Sequence, residues 1–426
     1  MDQELRDRAR QADLSYLDYL LGQLDRLEEK TGVKRTLFAA CPNSLSVLKS
    51  SLRSAKRCNA PIKFAATLNQ VDSDGGYTGF TQKEFVDTIR EEARVINYTG
   101  PVIVAIDHGG PWLKDIQRTG NWSYEKAMAG VKKSFERALD AGYDLIHVDP
   151  TVDNTLSPGE NIRIEVVAER TIELMVHCES YRREKGLDRI AYEVGTEEVH
   201  GGLADMNIFN RFLKLLRSGL EDHGLKDVWP CFVVGKVGTD LHTTLFDPEV
   251  ASELTRAVKP YGSKIKGHYS DNVDNPEAYP LSGMGAANIG PEFTEREYDG
   301  LMELTAVESL LFEEGKLAKT SDMKACLWKA VIDSGRWKKW LNKDEDPNGD
   351  FNALDPRRQL WLIKTGCRYI WTKPEVVAAR SRLYANMALH GIKAEDIVLT
   401  HIDQAMDRYF HAFRLVNVNT LVQQSR

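Results

Sequence analysis

Short apolar runs rich in valine and isoleucine, most of them almost continuous, recur along the first three quarters of the chain. They fall at 36–41, 62–68, 101–106, 143–148, 189–194, 228–237, 264–266 and 286–289. A strand that buries one face alternates apolar and polar residues. Runs without alternation read as strands buried on both faces, the habit of a parallel sheet covered by helices. The segments between them carry helical punctuation. Thr81 with Glu84, and Thr294 with Glu297, have the spacing of a capping box ahead of amphipathic runs. Between Ser123 and Gly142, the residues Tyr124, Ala127, Met128, Val131, Phe135, Ala138 and Leu139 recur at helical spacing, with Ser123 as N-cap and Gly142 as stop. These repeats predict an α/β fold: a (β/α)8 TIM barrel with an N-terminal helix, covering residues 1–316. The competing open doubly wound sheet would need a glycine-rich fingerprint after its first strand, and CPNSLS is not one. From 317 to 426 the pattern turns helical, broken by NKDEDPNGDFNALDP, and predicts a helical C-terminal extension packed on the barrel.

Composition narrows the class. The 426 residues are 42% hydrophobic and 28% charged, a globular balance that excludes a disordered or fibrous chain. The net charge of −7 gives no basic excess, so no nucleic-acid partner is expected. No stretch approaches the ~20 apolar residues of a membrane span, and the start MDQELRDRARQADLSYLDYLL has no apolar signal-peptide core. Six scattered cysteines without a CxxC pair fit a reduced, cytoplasmic protein.

A barrel points all its strand ends at one cavity, so position relative to the strands filters the candidate chemistry. The third run ends in Asp107 and His108, and the fourth in His147, Asp149 and Asp153. The fifth gives Glu193, then Glu197, Glu198 and His200; the sixth leads to Asp240 and His242; the seventh ends in His268 and Asp271. A single strand-end histidine usually just makes hydrogen bonds in a loop. A convergent set of imidazoles with a carboxylate matches a divalent-metal site, zinc by ligand softness. His108, His242 and His268 are the expected ligands, with His147 either joining them or lining the pocket. His177, His223, His390, His401 and His411 fall in helices or turns and read as structural. Glycines around Gly267 and from Gly283 to Gly290 have two readings: an anion cradle at the head of the following helix, or tight packing. No GxxxxGK[ST] loop is present, which excludes a P-loop kinase.

The motifs NQVDSDGGYTGFT, IDHGGP, GYDLIHVD, YEVGTEEVHGG, GTDLHTTLFDP, KGHYSDN and ARSRLYANMALHG resemble, in order from about Leu68 to Gly391, the Z-type subunit family of class II D-tagatose-1,6-bisphosphate aldolase. Members often carry the label tagatose-6-phosphate kinase, which these residues do not support. The resemblance implies Asp107 as acid/base, a metal held by His108, His242 and His268, and Glu193 as the strand-five carboxylate, catalytic or ligating. It also implies a carbohydrate-binding set of Asn69, Gln70, His147, Asp149, Gly267, Asp271, Asn288 and Arg368. One departure is Glu193, where Z-type subunits carry an apolar residue; the added carboxylate favours a working metal site. A related group of barrels epimerises ketoses and ketouronates at C4. The expectation is therefore a divalent-metal enzyme, aldolase or C4 epimerase, acting on a tagatose-type ketose or ketose phosphate. The alternative is a non-catalytic subunit that stabilises a separate aldolase chain. A homo-oligomer or such a complex is the expected assembly. The segment GCRYIW places Arg368 beside Tyr369 and Trp371, either as a helix face packed on the barrel or folded over its mouth to meet an anionic substrate group.

Overall fold

In a computed structural model, whose described residues are 1–157, 160–195, 205–240 and 242–424, eight parallel strands close into a barrel in sequence order. They are β1 (Leu37–Ala40), β2 (Ile62–Thr67), β3 (Val102–Gly109), β4 (Leu145–Val148), β5 (Ala191–Gly195), β6 (Phe232–Val234), β7 (Lys264–Gly267) and β8 (Ala286–Ile289). Every apolar run carries a strand. The ends differ from the apolar limits: β6 is trimmed to three residues, whereas β3 runs on through the polar Asp107 and His108.

Two helices, α1 (Asp2–Gln11) and α2 (Tyr16–Thr31), precede the barrel. Arg6 ties α1 to the amino ends of the strands, donating to the Val102 carbonyl at 2.8 Å and pairing with Asp144 at 2.5 Å. The wall is built from α3 (Leu45–Cys58), α4 (Gln82–Val95), α5 (Asp115–Thr119), α6 (Tyr124–Ala141), α7 (Ile164–Lys185), α8 (Met206–Asp222), α9 (Pro248–Val258), α10 (Ala278–Leu281) and α11 (Pro291–Glu313). The Thr81–Glu84 capping box is formed at α4, and α6 runs between the Ser123 cap and a left-handed Gly142, as their spacing predicts. Thr294 and Glu297 do not cap a helix. Proline pre-set at the first helical position starts α11 four residues earlier, at Pro291, and the two side chains instead accept hydrogen bonds from Asn43 and Ser44.

After α11 follow α12 (Met323–Ser334), α13 (Pro356–Gly366), α14 (Pro374–Ala388), α15 (Ala394–Ala412) and α16 (Val418–Gln424). α15 packs against α3 and α11. There Phe38 of β1 meets the rings of Phe293, Tyr409 and Phe410 at 5.9, 5.9 and 5.0 Å. A buried Phe of this kind contributes about 1.5–3 kcal/mol through area removed from water. Main-chain bonds sew the end of the chain to the barrel, from Thr36 to the Phe413 carbonyl and from Asn417 to the Cys58 carbonyl. Two short 3-10 turns, Arg336–Trp340 and Cys367–Tyr369, lie at the carboxyl end of the barrel, where Thr372 bonds the Tyr77 carbonyl of the β2–α4 loop. All six cysteines are free. Among the described residues no helix is long and apolar enough to cross a membrane.

Candidate active site

Successive residues of a strand point to opposite faces, so Asp107 and His108 should not both reach one cavity. They do, because β3 breaks its alternation: the β3–β4 register shifts between Ile106 and Gly109, and His108 adopts φ +49°. Such a bulge re-aims a side chain beside a site. The following Gly110 is required, since a Cβ there would lie 1.8 Å from the Asp149 carbonyl oxygen. The His108 N–H donates to His147 Nδ1 at 3.0 Å, and His108 Nδ1 lies 2.5 Å from Asp149 Oδ2. Asp149 in turn accepts from the Thr151 hydroxyl at 2.5 Å.

Three imidazoles meet at this point. The ring of His108 lies 4.3 Å from His268 and 4.9 Å from His147, and His147 and His268 are 5.5 Å apart. Together with Asp107, each offers one ligand atom, all within 4.8 Å of one another. Nε2 of His147 and Nε2 of His268 are buried without a hydrogen-bond partner. Imidazole nitrogens left unpartnered beside a carboxylate are the donor set a borderline-soft divalent cation takes, so the residues fit a metal.

Beneath the cluster lies a layer of buried charge. The Lys266 ammonium is 2.6 Å from Glu193 and 3.1 Å from Asp107, and Lys63 is 3.3 Å from Glu193. Burial resists charge on Asp107 and Glu193. Even so, Lys266 and the nearby histidines hold Asp107, and Lys266, Lys63 and His147 hold Glu193, well below the ordinary carboxylate range. Burial also opposes charge on Lys266, but Asp107 and Glu193 keep its pKa above the usual value. Lys63, buried near a second ammonium, is pushed down to about 8. Burial, His108 and Lys266 lower His268 to about 3, leaving a neutral ring, whereas Asp107 and Asp149 raise His108 against its burial.

The expected residues divide clearly. Asp107, His108 and His268 line one cavity of about 190 Å³ at the carboxyl ends of the strands, with Asn69, Gln70, Asp271, Asn288 and Arg368. His242 is not with them: eight residues beyond the end of β6 at Val234, it is exposed, its ring 5.5 Å from Trp361. His147, on β4, stands in its place. Glu193 is fully buried below the cavity, engaged by the two lysines. Asp149 orients His108 rather than facing the cavity. The Asn69 amide bridges the Leu113 carbonyl and the Asp115 N–H, and the Gln70 amide bridges Thr67, Pro42 and Asn43, so both organise the β2–α4 loop. Gly267 is a packing position, where a Cβ would lie 3.1 Å from Met284. Asn288 presents both amide atoms without partners. Asp153 is tied to Arg170 at 2.7 Å and Asp240 to the His242 N–H at 2.6 Å. Glu197, Glu198 and His200 lie outside the described residues.

Sequence reasoning passed over Lys266 and Lys63. A signal was present at Lys63, a lysine inside the largely apolar β2, where a lysine is buried only if paired; in β7 a second lysine, Lys264, two residues before Lys266 masks it. It also passed over Arg336, Lys339 and Trp340, which join Arg368 and Tyr369 in lining the cavity. They lie far from any strand end in sequence.

Comparison with known proteins agrees with this fold. A probable tagatose 6-phosphate kinase from Sinorhizobium meliloti superposes with a TM-score of 0.71 at 20% identity, covering 89% of this chain and 100% of that one. The fructose-bisphosphate aldolase from Campylobacter jejuni superposes with a TM-score of 0.54 at 11% identity, over 94% and 95% of the two chains. At these identities the likeness speaks for the fold. The family model described as D-tagatose-1,6-bisphosphate aldolase subunit GatZ/KbaZ-like matches residues 24–424. With nearly its whole length matched, the chain belongs to the GatZ/KbaZ-like family of D-tagatose-1,6-bisphosphate aldolase subunits.

Proposed function

We propose that the chain is a metal-dependent enzyme that breaks and re-forms the C3–C4 bond of a ketose. The observation that carries this reading is the meeting of His108, His147 and His268 with Asp107 at the strand ends. One ring nitrogen of each histidine would hold a divalent cation, zinc by donor type. When bound, the cation supplies positive charge to adjacent carbonyl and hydroxyl oxygens of a ketose. Asp107, kept ionised beside Lys266, accepts the C4 hydroxyl proton. The C3–C4 electron pair then passes to C3, giving an enediolate and an aldehyde, and the reverse path returns the proton from Asp107. The unpartnered Asn288 amide is placed to bind a substrate hydroxyl.

Trp340, Arg368 and Tyr369 line the same cavity from the C-terminal helices. A covered cavity favours retention of the aldehyde, which on turning over and re-adding gives the C4 epimer. Epimerisation is therefore the second reading. The test is to incubate the metal-loaded chain alone with tagatose-type ketoses and their phosphates, following both aldehyde release and the C4 epimer. Either product, abolished by Asp107→Asn, supports catalysis. No product from the metal-loaded chain, with activity restored to a separate aldolase on mixing, would replace catalysis by a supporting-subunit role.

A further inference from the structure

Resting on the ketose reading above, we propose that the substrate carries a single anionic group, a phosphate or a carboxylate. Arg368 receives that group, and the place where such a barrel would bind a second phosphate is closed by Asp271. Barrels commonly hold phosphate with the loops after their last two strands and the amides that open the following helix. Here those amides already have an acceptor: the N–H groups of Gly290 and Glu292 both donate to Asp271 Oδ1 at 2.9 Å. The Glu292 side chain is buried beside them, accepting from the Asn272 N–H at 2.7 Å and from the Tyr409 hydroxyl. An incoming phosphate would have to displace the Asp271 carboxyl oxygen from both amides, with the Glu292 side chain packed beside them.

Across the cavity the situation is reversed. Arg368 is only 6% exposed, its guanidinium 4.4 Å from the Trp340 ring and 5.1 Å from the Tyr369 ring. Its Nε and Nη2 have no hydrogen-bond partner. Those two N–H groups form one side of the guanidinium fork, the side that binds both oxygens of a carboxylate or phosphate. A buried donor left unmade costs free energy, and a bound oxyanion removes that cost. Arg336 and Lys339 line the same part of the cavity, sharing the single carboxylate of Asp115. The strand ends thus hold the reacting carbons, and the C-terminal helices hold the anion.

The test is calorimetric binding of four ketohexose ligands to the full chain: the uncharged sugar, its 6-phosphate, its 1,6-bisphosphate and the ketouronate. The 6-phosphate or the ketouronate should bind roughly 10–100-fold tighter than the uncharged sugar. Which of the two does so identifies the anion. The bisphosphate should gain no more than about threefold over the 6-phosphate. Arg368→Gln should erase the anion advantage, leaving the anionic ligands no tighter than the uncharged sugar. Arg368→Lys, which fills the same space, replaces it if the glutamine variant does not fold, and should lose most of the advantage with the fork. Asp271→Gly should open the amides and raise bisphosphate affinity by about tenfold. A parent chain that binds the bisphosphate tenfold tighter than either monoanionic ligand would overturn the proposal, as would an Arg368 variant with its anion preference intact. Because binding is read without turnover, a chain that binds as expected but does not cleave a ketose fails the catalytic reading alone.

Discussion

His108 is held by Asp149, with Nδ1 2.5 Å from Oδ2. The carboxylate is buried, and against that burial the His108 hydrogen bond keeps it ionised, so Nδ1 carries a proton and Nε2 is the ring nitrogen left to a cation. A carboxylate behind a histidine fixes both tautomer and ring orientation, and its loss typically costs 10–100-fold in metal affinity. Asp149→Ala is therefore expected to weaken zinc binding by about that factor while the barrel stays folded. Competition with a chelator of known affinity measures it. Unchanged affinity would remove His108 from the ligand set.

The cluster makes a second, sharper distinction among the histidines. His147→Ala and His268→Ala should each leave the purified chain with little metal, whereas His242→Ala should keep the parent content, because His242 is exposed beside Trp361. Elemental analysis of the three variants decides it. Loss of metal in the His242 and His268 variants, with the His147 variant keeping the parent content, would restore the arrangement expected from the resemblance.

Lys266 neutralises two carboxylates that are out of water. Removing one partner of a buried ion pair leaves an uncompensated charge and destabilises by about 3–5 kcal/mol. Lys266→Met should show a loss of that size in urea unfolding with a chelator present, so that no cation takes the ammonium's place. A loss below about 1 kcal/mol would mean that Lys63 alone balances the layer.

The barrel was legible because buried parallel strands leave largely apolar runs without strict alternation, and the cap at Ser123 and stop at Gly142 mark a helix by local chemistry alone. His108 and His268 were legible from their place: each stands two residues beyond the end of such a run. His242 misled because a strand's last paired residue is set by its neighbours, and β6 closes its ladder against β7 at Val234. His147 could be read only as one of two alternatives, since strand periodicity does not say which face a residue takes in a near-continuous run. Arg336 and Arg368 reach the cavity through long-range packing of the C-terminal helices. Nothing in their local spacing encodes that placement.

The Asp271 carboxyl gives the protein a pH dependence of definite sign. Burial, with Glu292 nearby, pushes its pKa up to about 7 from 3.8, even though Oδ1 accepts two backbone N–H groups. Below the unfolded value both states are protonated and Asp271 contributes no difference. As pH rises from about 4 to 7, the unfolded chain releases the proton and the folded chain keeps it, so stability falls across that window. Asn at this position keeps an oxygen for the Gly290 and Glu292 amides and never ionises. Asp271→Asn should therefore match the parent near pH 4 and exceed it progressively up to pH 7–8, by about 3–4 kcal/mol. Glu295, also raised to about 7 by burial, changes parent and variant alike, so the difference between them isolates Asp271. Thermal melts at half-unit steps from pH 4 to 8 measure that difference. A flat difference would mean that Asp271 is ionised throughout, and a difference that shrinks with pH would mean that the carboxylate is the stabilising form.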